Sequence, residues 1–447
     1  MRLNSDKGFT LPSILLISLL VITTLLAILS IIYFTNKQTS RLIEKKKLEL
    51  ACFSAAQMAL IDSSLMFSEI SNIEIDSSLD VQLSTTQFGF WREILVSAKG
   101  IIDSVKVKYL IGVKEDKKSY FHNALILSRP NLRTTIVGQT EIIGNILATT
   151  DQFFIGNIFG ESAVKKDYHK GEKVIDKDIR SQIIPDSIFE KIKNSFFISK
   201  NTTDFDYLEI SKSNIGHLFS EANCNISDGF NSTDDISLSN VPSHKLKVSG
   251  KVKFVENTLL EEPLEIYSNS MIEVGRNCNL SNLLVYSDGP IIIDENCTFK
   301  NVQLFSTDSI SITNSKFNYP SIICLSINDS ISSKQNSMID IEDSIVNGSI
   351  ILMTKTAGLS SNKTKIKINK NSKVQGLLYS ENNIELLGEV FGSVFTYNFW
   401  FYKEPTEYIN WLINVEIDKN KLNKWFLFPG IFEKQGKYQI LGEEWIY

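Results

Sequence analysis

Proline and glycine are scarce in this chain of 447 residues, with nine of the first and 22 of the second. That excludes a collagen-like or Pro/Gly-rich low-complexity protein and leaves turns to be built from other residues. Histidine is scarcer still: His122, His169, His217 and His244 are the whole complement. The five cysteines, Cys52, Cys224, Cys278, Cys297 and Cys324, contain no Cys-x-x-Cys pair, so the clustered ligands of a structural zinc site are missing. Their odd number also argues against a full disulfide framework. Charge of one sign is lacking too. A formal net charge of −5, with no long basic stripe, speaks against a nucleic-acid partner. No Gly-x-Ser-x-Gly, P-loop or His-Glu-x-x-His occurs, and paired acids do not recur in register. The sequence therefore assigns no catalytic, metal or cofactor residue and identifies no small-molecule substrate.

What is present in quantity is Ser, Asn, Ile and Leu, with 43% hydrophobic and 22% charged residues overall. This is the composition of a folded protein with many short strands and Asn/Asp/Ser turns. Near the start, Leu11–Phe34 runs for 24 residues without a charge, between Lys7 and Lys37. As a helix it rises about 36 Å, enough for a hydrocarbon core of about 30 Å. A cleavable signal has an apolar stretch of only about 7–15 residues followed by a small-residue site, so this run predicts a retained transmembrane helix. Leu48, Cys52, Ala55 and Ala59 continue at helical spacing beyond it. Strands are expected at Phe88–Ala98, Val105–Val113 and Phe121–Leu127.

A short basic leader, then Gly8-Phe9-Thr10-Leu11, then the apolar helix resembles the leader of type IV pilins and type II secretion pseudopilins. The resemblance covers about the first 60 residues. It implies cleavage by a prepilin peptidase between Gly8 and Phe9, methylation of Phe9, and a head outside the inner membrane of a bacterium. The family's usual Glu at the fifth position is Ser13 here, which implies an accessory rather than a main filament subunit. The Lys and Arg residues point the other way. Lys37, Arg41, Lys45, Lys46 and Lys47 follow the helix, against Arg2 and Lys7 before it, and by the positive-inside rule favour a cytoplasmic C-terminal bulk.

Downstream the chain repeats. Asn277, Asn296, Asn314, Asp343 and Asn371 mark one turn in successive copies, at steps of 19, 18, 29 and 28 residues. The longer steps carry insertions near Ser330–Asn336 and Lys355–Thr364. Before each turn the pairs Ile272/Val274, Ile291/Ile293, Ile310/Ile312, Ile339/Ile341 and Ile366/Ile368 occupy equivalent sites, all on one side of a strand. A period near 19 with short strands predicts a right-handed parallel β-helix, or β-solenoid, whose core is this aliphatic ladder. The register stacks Cys278 on Cys297, at a separation of about 4.8 Å. Ser315, Ser344 and Ser372 continue the row, so both a disulfide and a plain Cys/Ser ladder fit. Thr134–Ile155 has similar alternation and is expected as a detached first coil. The aromatic tail, with Phe399, Trp400, Phe401, Tyr402, Trp411, Trp425, Phe426, Phe428 and Trp445, suits a cap over the open end, or alternatively a sugar-binding surface.

The expected architecture is mainly β: leader 1–8, transmembrane helix 9–36, extended helix 37–70, small pilin-like antiparallel strands 71–130, first β coil plus insertion 131–243, solenoid repeats 244–398 and C-terminal cap 399–447. Two functional expectations stand side by side. One is a non-enzymatic, pilin-like accessory subunit whose partners are the membrane, the peptidase and other pilin-like subunits or its own copies. The other is a cytoplasm-facing, membrane-tethered scaffold resembling the bactofilins. A polysaccharide-binding or polysaccharide-active β-helix is a third.

Overall fold

The computed structural model describes residues 10–66, 70–76, 78–158, 161–162, 167–185, 187–198, 202–205, 208–210, 244–248, 251–261, 263–327, 337–354, 358 and 364–446. Gly8, Phe9, His217, Cys224 and the insertion Ser330–Asn336 lie outside them. The chain divides into two compact units. The first takes Met1–Thr86, Glu93–Leu110 and Gly442–Tyr447; the second takes Gln87–Arg92 and Ile111–Leu441.

In the first unit a single helix, Thr10–Ile61, runs for 52 residues. Every residue from Leu11 to Ile43 is exposed, the unbroken apolar run included. Beyond that the helix becomes amphipathic, and Leu48, Ala51, Cys52, Ala55, Ala56 and Ala59 are buried. These positions follow the i, i+3, i+4 rhythm of one helical face, and their small side chains let a sheet approach closely. The Cys52 thiol lies 3.8 Å from the Val105 carbonyl of that sheet. The sheet is ordered Ser71–Asn72, Asp80–Phe88, Trp91–Lys99, Ser104–Glu115 and Gly436–Ile446. The expected strand Phe88–Ala98 is broken at Gly89-Phe90, because Gly89 adopts a left-handed φ of 57° that ends one strand before the next begins. Of the expected strand Phe121–Leu127, only Leu125–Leu127 is extended, and it pairs in parallel elsewhere.

The second unit is dominated by a curled, half-barrel sheet, 24 strands among the described residues and parallel except where Thr406–Ile409 pairs with Trp400–Lys403. Its rows repeat in register. Ile272, Ile291, Ile310, Ile339 and Ile366 pair in succession, as do Val274, Ile293, Ile312, Ile341 and Ile368. All ten are buried. The long strands after each turn, such as Asn279–Ser287, Thr298–Ser306 and Lys316–Ile327, are buried on both faces along their second halves. That is why they read as continuous apolar runs (LLVYS, VQLFS, IICLS) instead of alternating.

Thr134–Ile155 does not form a detached first coil. Leu125–Leu127 pairs with Val394–Thr396 on one side and with Ile146–Ala148 on the other. Glu141–Ile143 pairs likewise between Glu416–Asp418 and His169–Lys170. The early segment thus extends the far end of the sheet, and Trp411–Ile413 joins it by pairing with Thr135–Val137. Strand Glu389–Lys403 runs between Lys373–Leu386 on one side and Leu125–Leu127 and Glu416–Asp418 on the other, so the backbone edge is satisfied there by strands, while Trp400–Lys403 folds back on Thr406–Ile409 as an antiparallel hairpin. Of the aromatic residues, Phe399, Trp400, Phe426 and Phe428 are buried, and Trp425 is 84% exposed.

Close stacking constrains single positions. At Gly376 (φ 149°) a Cβ would lie 1.9 Å from the Gly348 carbonyl oxygen of the preceding row. Gly376→Ala is expected to cost about 1–3 kcal/mol or more through forced separation of the rows. Ile312→Val, which trims one buried methylene, should cost about 0.5–1.5 kcal/mol. Denaturant unfolding of the two variants in detergent checks the order.

Candidate functional site

The turn row around Cys278 and Cys297 is the densest alignment of reactive side chains in the second unit. Asn257, Asn277, Asn296, Asn314 and Asp343 all adopt φ between 41° and 64°, a region that Asn and Asp enter at little cost. This is how the chain turns with so little glycine. Their side chains bond from row to row: Asn314 donates to Asn296 at 2.9 Å and Asn371 to Asp343 at 2.8 Å. One residue further on, each side chain caps a backbone carbonyl. The Cys278 thiol donates to Val255 O at 3.2 Å, and the Cys297 thiol to Gly275 O at 3.1 Å. Ser315 donates its hydroxyl to Asp294 O and Ser372 to Ile341 O, both at 3.0 Å. Cys278 and Cys297 are stacked, free and buried. Its contact with Cys278, and then burial, push the Cys297 thiol well above its ordinary value, so it holds its proton and acts as a hydrogen-bond donor.

The outward face of the parallel sheet carries a second row that sequence reasoning missed. Tyr267, Tyr286, Phe305, Cys324, Ile351, Tyr379 and Phe395 are in successive register and buried. Phe189, on the helix Ser187–Ile198, covers it from 5.2 Å over Tyr286 and 5.9 Å over Phe305. Phe90 packs at 4.8 Å on Phe305, and Phe432 at 5.6 Å on Tyr379. Gln303 sits in the same face, fully buried. Its carboxamide accepts from Phe90 N at 2.8 Å and donates to Phe88 O at 2.9 Å, as a paired strand would. The readable signal was the absence of alternation in these strands, together with one Gln inside an apolar run.

Ionisable groups are engaged in holding elements together. Lys419 is buried, and burial lowers its pKa against the opposing pull of Glu115. A lowered lysine is a nucleophile signature, but its three N–H donors are all used, on Glu115 at 2.8 Å, Phe121 O at 2.7 Å and Ser393 Oγ at 2.9 Å. Asp288 accepts from Lys193 at 2.8 Å and from Tyr267 at 2.5 Å, tying down the covering helix. Asp308 has its pKa raised by burial. Asp329 lies outside the described residues. Among the described residues no group of three or more His, Cys, Asp or Glu could hold a metal ion. A recess of about 390 Å³ beside the outermost strands is lined by Lys117, Lys118, His122, Glu172 and Asp176, cations and anions in mixture.

In the first unit the feature with functional content is the exposed apolar helix. From Leu11 to Phe34 it is uncharged and predominantly apolar, at membrane length. Comparisons with protein-family models, with curated proteins and with solved structures found no match to this chain.

Two outcomes test the reading of the polar groups. Lys419→Met leaves the half-buried Glu115 without its cation, and the variant should lose about 1–3 kcal/mol in an unfolding experiment. The second concerns His169 on the outermost strand pair, whose Nε2–H donates to Gly144 O at 3.0 Å. Burial, with a smaller contribution from Lys173, lowers the imidazole pKa below its ordinary 6.5. Its stabilising contribution is therefore complete above the unfolded value and is lost as pH falls through the lowered folded value. Protection factors at Lys170 and Lys173–Ile175, taken relative to the slower intrinsic exchange at low pH, should fall between pH 7 and 5, while those of Ile310–Thr313 hold.

Proposed function

We propose that this chain is a non-enzymatic, membrane-anchored structural protein, a pilin-like accessory subunit of a type IV pilus or type II secretion-like assembly. The observation that carries the reading is the single continuous helix Thr10–Ile61. Its first half is apolar and exposed, and its second half lays a narrow Ala-rich face on a sheet. A helix built this way serves as anchor and as backbone of a small head at once. The Gly8-Phe9-Thr10-Leu11 motif supports cleavage by a prepilin peptidase and methylation of Phe9, and Ser13 supports an accessory place. The parallel sheet is then a β-solenoid presented outside the cytoplasm, from the inner membrane, to other pilin-like subunits or to further copies of this chain. The engagement of Lys419, Asp288 and the turn cysteines in internal bonds supports a role without catalysis, small-molecule substrate or nucleic-acid partner.

A second reading is favoured by one feature, the five basic residues Lys37, Arg41, Lys45, Lys46 and Lys47 that follow the apolar run. By the positive-inside rule they hold the C-terminal bulk in the cytoplasm, where a bactofilin-like tethered scaffold would work. An alkaline phosphatase fused after Tyr447 is expected to be active, which the cytoplasmic scaffold does not allow. Mass spectrometry of the amino terminus in the native host is expected to find methylated Phe9. An intact Met1 would remove the prepilin part.

A further inference from the structure

The most exposed large apolar side chain among the described residues lies outside the membrane run. It is Ile101, at 92%, followed in the chain by Ile102 at 58%. Both sit in the tight turn that joins strands Trp91–Lys99 and Ser104–Glu115, closed by a bond from Gly100 N to Asp103 O at 2.9 Å. Turns of this kind favour Gly, Asn, Asp or Pro, and two β-branched apolar residues at the tip serve no purpose in the turn itself. The turn is fixed to the long helix: Ile102 N donates to Glu44 Oε1 at 2.9 Å, and Gly100 is packed against the Glu44 and Leu48 side chains. Glu44 is ten residues beyond Phe34, the last residue of the uncharged run, or about 15 Å along the axis.

The span has length to spare. A run of about 36 Å in a core of about 30 Å is long enough to span with some tilt. Tilt lowers a group that stands off the axis, on the side toward which the helix leans, toward the headgroup layer, about 5–7 Å deep in each leaflet. Lys99 flanks the turn, and Lys37 and Arg41 lie on the helix between it and the membrane, all three exposed. Apolar tips rimmed by cations match the chemistry of an anionic headgroup layer over acyl chains.

We propose that the Gly100–Asp103 turn is a second membrane contact, with Ile101 and Ile102 inserted into the lipid surface that the helix crosses and Lys99, Arg41 and Lys37 facing acidic headgroups. The turn thereby sets the direction in which the helix leans. This rests on the helix crossing a bilayer and is independent of which side the head occupies.

The test uses the full chain with Cys224→Ser in nanodiscs, spin-labelled at Ile101→Cys, at Ile22→Cys in the run, or at Ile61→Cys at the far end of the helix. In phosphatidylcholine containing phosphatidylglycerol, the label at 101 is expected to be at least about threefold less accessible to an aqueous nickel chelate than the label at 61, and more accessible to oxygen. Protection should fall when phosphatidylglycerol is left out. A label at 101 as accessible as that at 61, while 22 remains in lipid, overturns the proposal and leaves the anchor standing. A label at 101 immobilised but shielded from oxygen also overturns it, because the occupant is then a protein. An aqueous label at 22 overturns the anchor itself. Equal protection in both lipids overturns the role of the three basic residues.

Discussion

Row-to-row pairing of backbone groups in the parallel sheet is the constraint on which the rest of the second unit depends. Each strand must offer its N–H and C=O groups to the rows on both sides, and at every turn some carbonyls fall out of the ladder. The chain recovers them with a short side chain placed just after the Asn of the turn. Thr258 donates its hydroxyl to Val255 O at 2.6 Å, and Cys278, Cys297, Ser315 and Ser372 follow suit. A thiol and a hydroxyl are interchangeable in that role, since each supplies one donor on one methylene. The cysteines therefore belong with the serines, as parts of a hydrogen-bond ladder.

Stacking of this kind commits both faces of the sheet. The inner face closes on its own aliphatic residues, but the outer one would leave Tyr286, Phe305, Tyr379 and Phe395 in water. Separate pieces of chain cover it: the helix Ser187–Ile198 through Phe189, the Gly89-Phe90 turn through Gln303, and the 3-10 segment Gly430–Gln435 through Phe432. Each cover is held by one or two polar bonds beside its apolar contact, as with Lys193 on Asp288. Buried polar groups cost free energy unless they are bonded, which is why Gln303 and Lys419 have saturated partners. The outer row continues through Ile126 and Leu147 to Val174, which is 44% exposed at the last strand.

The first unit follows a different rule. Its helix changes surroundings along its length, and its composition changes with them, from a run apolar on all sides to a stripe of Leu48 and small residues facing a sheet. The first part is exposed all round, whereas the second buries one face and leaves Lys46, Lys47 and Leu50 on the other. Ile101 and Ile102 are exposed as well, in a turn that Ile102 N fixes to Glu44.

By itself the sequence determined the apolar helix, the Asn-marked period and the aliphatic rows, because these depend on spacing between near neighbours in the chain. Leu48, Cys52, Ala55 and Ala59 could be read as one face for the same reason, and so could the register that stacks Cys278 on Cys297. Only the tertiary structure decided that Leu125–Leu127 and Glu141–Ile143 join rows more than 250 residues later, since pairing of distant strands leaves no period to read. It also decided that Phe399 and Trp411 pair in parallel rows while Trp400–Lys403 folds back on Thr406–Ile409 as a hairpin. An aromatic run has the same composition in either place, and only neighbours brought together by folding tell the two apart. The outward row and its covers were hidden for a related reason. A strand buried on both faces loses the alternation that marks which side is which, and the residues that bury it come from elsewhere in the chain.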